Sequence, residues 1–76
     1  MKVIKEIVMD IFPTAKLSEY NSWGVGSIPE WDSLGHFNFL IEIEEKTGIK
    51  FTIDEFADLK TVSDIEKCLK IKGYLE

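Results

Sequence analysis

Apolar residues recur along most of this chain at three- and four-residue spacing, and no stretch alternates as a strand would. At about 100° per residue, Val3, Ile4, Ile7, Val8, Ile11 and Phe12 fall on one half of a wheel, with Lys2, Lys5, Glu6 and Asp10 on the other. The spacing predicts a helix over Lys2–Phe12, ended by Pro13, which biases the residue before it away from helical geometry. Residues 13–32 then form a long connection punctuated by Pro13, Asn21, Gly24, Gly26 and Pro29. A turn of helix is expected near Leu17–Tyr20, with Trp23, Val25, Ile28 and Trp31 pinning the loop onto the helices. Connections this long in a small domain are mostly functional or partly structured.

A second helix is predicted over Ser33–Thr47, with Asp32 as N-cap and Gly48 just past its end. Its apolar residues cover too wide an arc for one packing face. Phe39, Leu40 and Ile43 share one side; Leu34, Phe37 and Ile41 make a second strip at i, i+3, i+7. Either this helix is buried on two sides or the second strip meets a partner. Thr52 with Glu55 three residues on forms a capping box that starts a short helix, Ile53–Asp58, contributing Phe56 to the core. Thr61 caps a last helix, Val62–Lys72, whose inner stripe is Val62, Ile65, Cys68 and Leu69 and which Gly73 stops. The pattern is therefore all-α: three main helices and a short one, with a long first loop, in a single domain over residues 1–76.

Charge adds a direction to this plan. The net charge is −5, and residues 32–58 alone hold two lysines against seven acids. Nucleic-acid binding relies on neutralising phosphates, so such a surface argues against it and favours a basic protein partner. No apolar run reaches membrane-spanning length, and the first residues lack the layout of a secretory signal. One cysteine and one histidine allow neither an internal disulfide nor a zinc site. A cytoplasmic monomer is the expectation.

Few residues offer chemistry. Ser33 and His36, three apart on a helix, resemble a nucleophile with its base. A hydrolase also needs an orienting third group, an oxyanion hole and a pocket, so His36 is expected to face solvent. Cys68 on an apolar stripe reads as a small buried hydrophobe. The clusters Glu42, Glu44, Glu45 and Asp54, Glu55, Asp58 lack the loop that wraps calcium. Neither a catalytic nor a metal site is expected, and the chain reads as a non-enzyme.

What remains is "DSL", Asp32 to Leu34, where a long loop meets an acidic amphipathic helix. Together with the helix order, the loop length, the short third helix and the closing helix, it resembles the acyl carrier protein family, including the peptidyl carriers. The resemblance spans the whole chain and implies an acyl-carrier-like four-helix bundle. It implies 4′-phosphopantetheine, derived from coenzyme A, on Ser33, with Asp32 as its motif neighbour. A phosphopantetheinyl transferase would attach the arm. Acyl- or aminoacyl-loading and acyl-transfer enzymes with basic docking surfaces would then meet the strip Leu34, Phe37, Ile41 and the acids Glu42, Glu44, Glu45, Asp54, Glu55 and Asp58. The approach "GSIPEWDSL" lacks the Leu-Gly pair of many members, and "GHFNFLIEI" is rich in phenylalanine. Both departures suggest a specialised discrete carrier rather than the housekeeping one. Fatty acid, polyketide and amino acid carriers share this plan. The alternative from a different class is a small acidic helical interaction module without a prosthetic group.

Overall fold

The computed structural model describes residues 1–74. It contains α1 (Lys2–Ile11), a 3-10 helix (Leu17–Ser22), α2 (Ser33–Thr47), α3 (Ile53–Asp58) and α4 (Val62–Ile71). Among these residues the one extended pairing is an isolated antiparallel bridge between Gly24 and Thr61. The domain is an all-α, compact helical bundle.

Element boundaries follow local chemistry. Helix α1 stops one residue earlier than predicted, because Phe12 is already extended (φ −116°, ψ 87°) ahead of Pro13. Asp32 caps α2, its side chain accepting from the Gly35 amide at 2.8 Å. Gly48 closes the helix in the left-handed conformation at φ 75°, its amide bonded to Glu44 O. The capping box is formed: Glu55 N donates to Thr52 Oγ1 at 3.2 Å, and Thr52 N donates to Glu55 Oε1 at 2.8 Å. Helix α4 ends at Ile71, one residue short of the predicted end.

The core joins Ile4, Ile7 and Val8 of α1 to Phe39, Leu40 and Ile43 of α2 and to Val62, Ile65 and Leu69 of α4. Phe12, Trp23 and Trp31, from the loop and its first hinge, are buried among them. Phe56 is only half-buried at the core edge, and so is Cys68 on α4.

The long loop is closed at its neck. Phe12 at one end stacks on Trp31 at the other, ring centres 4.4 Å apart and 13° from parallel. Beside them, Glu30 accepts from the Thr14 hydroxyl and from the Thr14 amide. The middle of the loop is tied to the α3–α4 junction, where Val25 N donates to Lys60 O and Val62 N donates to Trp23 O. Gly24 makes this approach possible, since a Cβ there would stand 2.8 Å from Lys60 O.

Two residues of α2 separate core from surface. Phe39 is fully buried and Leu34 is 69 % exposed. Phe39→Ala should therefore cost about 3–5 kcal/mol, whereas Leu34→Ala should cost about 0.5 kcal/mol or less. Urea denaturation of the two variants measures both; equal losses would contradict the assignment of faces.

Candidate functional site

The head of α2 gathers the polar groups that matter. Ser33 is the first residue of the helix and is exposed. With Gly35 N capped by Asp32, the amides of Ser33 and Leu34 remain without intrahelical acceptors, and they give this end its partial positive charge. Gly35 lets the loop close over the helix: a Cβ there would stand 2.7 Å from Glu30 O and 3.2 Å from the Phe12 ring.

His36 is not solvent-facing, as the sequence reading expected, but buried, with 6 % of its surface exposed. It lies on the core side of α2, one turn before Phe39 and Leu40. Trp31 Nε1 lies 2.8 Å from His36 Nδ1. An indole N–H can only donate, so Nδ1 accepts, and Nε2 carries the imidazole proton. Nε2 then donates to Leu59 O at 2.5 Å. The neutral ring thus bridges the loop end, the first turn of α2 and the α3–α4 junction. Burial pushes the imidazole below its usual value; the Leu59 carbonyl acts in the opposite direction, and the Lys60 ammonium adds to the depression.

Beside Ser33 lies an open cleft of about 310 Å³. Ser33, His36 and Phe37 of α2 form one wall, and Phe56 and Ala57 of α3 form the other. Val25 and Lys60 complete its lining. Phe37 leans on Phe56 with ring centres 5.2 Å apart. Ser33 Oγ makes no hydrogen bond among the described residues. His36 is close by in the cleft wall, but both its ring nitrogens are already engaged, by Trp31 and by Leu59 O.

The second strip of α2 is largely at the surface. Leu34 is exposed, Phe37 is 48 % exposed and Ile41 is half-buried. Ile53, at the start of α3, adds an exposed apolar side chain.

The six acids divide by role. Glu44 turns inward, its carboxylate accepting from Phe51 N at 2.7 Å. Glu55 is occupied by the capping box, by an ion pair with Lys72 at 3.0 Å and by the Cys68 thiol at 3.3 Å. The Thr52 amide, followed by Lys72, holds its carboxyl down to about 2. Burial, then Glu55, pushes the Cys68 thiol up, so it stays protonated. Glu42 faces the groove between α1 and α2, near Glu6 and Asp10. Glu45, Asp54 and Asp58 are exposed. Among the described residues no group of three or more His, Cys, Asp or Glu side chains is placed to hold a metal ion. No helix of the described residues is long and apolar enough to cross a membrane.

The fold and site define a small all-helical domain that presents a free serine beside an apolar cleft. Comparison of the chain with protein-family models, with curated proteins and with solved structures found no match.

The clamp should leave a pH signature. The folded-state pKa of His36 is lowered from 6.5, so the unfolded chain binds the extra proton first. Stability should be fully present above pH 6.5 and fall as pH drops through the depressed value. Glu55, whose ordinary value is 4.5, titrates in a separate, lower window. Urea midpoints taken from about pH 7.5 to pH 5 should slope for the wild type and flatten in His36→Gln. An unchanged slope in the variant would assign the effect elsewhere.

Proposed function

We propose that the domain is a discrete carrier, modified on Ser33 with 4′-phosphopantetheine and holding acyl or aminoacyl groups as thioesters on that arm. The observation that carries this reading is Ser33 itself: exposed, unbonded among the described residues, first in a capped helix, and at the edge of an open cleft.

Each property suits arm attachment. A transferase must reach the hydroxyl, and Ser33 projects from a helix start whose backbone is held by Asp32 and by the buried His36 bridge. The product is a phosphodiester anion, and an exposed helix N-terminus favours one by about 0.3–1 kcal/mol. With both His36 ring nitrogens engaged, the proton would go to the modifying enzyme, where Asp32 would help orientation. The carrier performs no chemistry on the cargo and delivers it.

Delivery needs contacts that are specific and brief. Leu34, Phe37 and Ile41 would supply a small apolar anchor. Glu42, Glu45, Asp54 and Asp58 would steer partners with basic surfaces, while Glu44 and Glu55 are held by bonds within the domain. The same exposed strip favours a second reading, an interaction module without an arm. Modification separates the two.

Incubation with coenzyme A and a phosphopantetheinyl transferase should add one arm, mapped by peptide mass spectrometry to Ser33. Ser33→Ala should abolish the addition while leaving the helical spectrum intact. An arm on Ser18, Ser22, Ser27 or Ser63, or none at all, would refute the assignment.

Steering should show in the salt dependence. Wild-type kcat/KM for modification should fall as salt rises toward about 0.15 M, where the screening length is ~8 Å. Charge reversal of Glu45, Asp54 and Asp58 should lower it and flatten that dependence. A salt-independent wild-type rate would count against an electrostatic role for this face.

A further inference from the structure

An arm on Ser33 would set a charge beside a group that must stay neutral. The phosphodiester that joins such an arm to the hydroxyl is an anion. Ser33 stands three residues before the buried His36, the helical spacing that brings side chains together, and both line one cleft. A nearby anion favours the charged form of an imidazole. Charged His36 would carry a hydrogen on Nδ1 and could no longer accept from the Trp31 indole. Two donors would then face each other in the interior, which is the costly way to lose a hydrogen bond. Uncompensated, the modification would work against the bridge that holds the head of α2.

The cleft itself supplies a compensating charge. Among the described residues that line it, Lys60 alone is charged, although residues 32–58 hold two lysines against seven acids. The backbone around Lys60 is fixed to both neighbours. Leu59 O accepts from His36 Nε2, and Lys60 O accepts from Val25 N. The side chain therefore starts beside His36, and its flexible four-carbon stem ends in a compact cation. Among the described residues this ammonium makes no hydrogen bond or ion pair, whereas Lys72 is paired with Glu55. It already acts on the imidazole, disfavouring its charged form. The other charged groups on the segments packed against His36 are committed elsewhere or stand outside the cleft. Glu30 accepts from Thr14, Asp32 caps the Gly35 amide, and Asp58 is exposed and does not line the cleft.

Resting on the carrier reading, we propose that Lys60 is the counter-ion of the Ser33 phosphodiester, its ammonium pairing with the phosphate oxygens and keeping His36 neutral in the loaded carrier. Lys60 is thus a positioning residue. It holds the base of the arm and shields the Trp31–His36 bond from the charge that the arm brings.

The test loads the wild type, Lys60→Gln and Lys60→Arg from coenzyme A with a phosphopantetheinyl transferase. The products are compared with the unloaded domains at about 0.01 M salt, where the screening length is ~30 Å. NMR reads two quantities: the lysine ammonium resonances with their coupling to phosphorus, and the ratio of charged to neutral His36 across a pH titration. In the wild type the Lys60 ammonium should shift on loading and couple to phosphorus, while Lys46 and Lys72 stay unmoved. The His36 ratio at a given pH should not change. In Lys60→Gln that ratio should rise about threefold on loading, the effect of an unshielded charge roughly 7 Å away across water. Lys60→Arg, which keeps the charge, should behave as the wild type. An unmoved Lys60 ammonium in the loaded wild type would overturn the proposal, and this measurement stands without any variant. An equal rise of the His36 ratio in the wild type and Lys60→Gln would also overturn it. Either result would leave Ser33 as the attachment site. Failure of the wild type to take the arm would instead overturn the carrier reading, and this proposal with it.

Discussion

The interaction on which the rest depends is the buried chain from the Trp31 indole through the His36 imidazole to the Leu59 carbonyl. It joins three segments remote in sequence: the end of the long loop, the first turn of α2 and the junction of α3 with α4. Each partner would be left unsatisfied in the interior if another were lost, so the three positions are held together or released together. The ring must be neutral with its proton on Nε2, because an indole can only donate. Burial enforces that state by disfavouring the charged form. Around this chain the neighbouring residues Lys60 and Thr61 are bonded to the loop as well, through Val25 N and the bridge to Gly24.

A long loop in a small domain would ordinarily leave the residues after it poorly placed. Here the loop is shut at its neck by Phe12 on Trp31 and by Glu30 on Thr14. Thr14, followed by Glu30's own backbone amide, holds the Glu30 carboxyl below its usual range, so this contact favours the ionised form. The outcome is an exposed hydroxyl on a fixed backbone: Ser33 projects from a helix whose next residues are capped, packed and clamped. Acidic residues divide in the same spirit. Glu44 and Glu55 satisfy backbone amides and tie elements together, while Glu45, Asp54 and Asp58 remain at the surface. Charge density in the sequence therefore overstates the charge available to a partner.

Much of the fold was legible because its signals are local. Pro13, the Asp32 cap, Gly48 and the Thr52–Glu55 box act within a turn of the residues they define, and they set boundaries to within a residue. The two faces of α2 were legible from spacing, since Leu34 and Phe37 stand opposite Phe39 and Ile43. The burial of His36 is written in its position rather than in its chemistry. The residue precedes Phe39, Leu40 and Ile43 by three, four and seven residues, which is the spacing of the core stripe. That spacing signals burial, and a buried imidazole requires partners. The identity of those partners was not legible, because Trp31 and Leu59 meet His36 only through the path of the loop and the turn after α3. The cleft was hidden for the same reason: Phe37 and Phe56 are neighbours in space and far apart in sequence.

A neutral His36, protonated on Nε2 and accepting from Trp31 on Nδ1, fixes the head of α2. Nitrogen-15 NMR of the imidazole at neutral pH tests it most directly. The spectrum should show a single Nε2–H tautomer, with a Trp31 indole proton protected from solvent exchange and coupled through the hydrogen bond to Nδ1. A mixture of tautomers, a protonated Nδ1, or an indole proton exchanging as freely as one in an unfolded chain would contradict it.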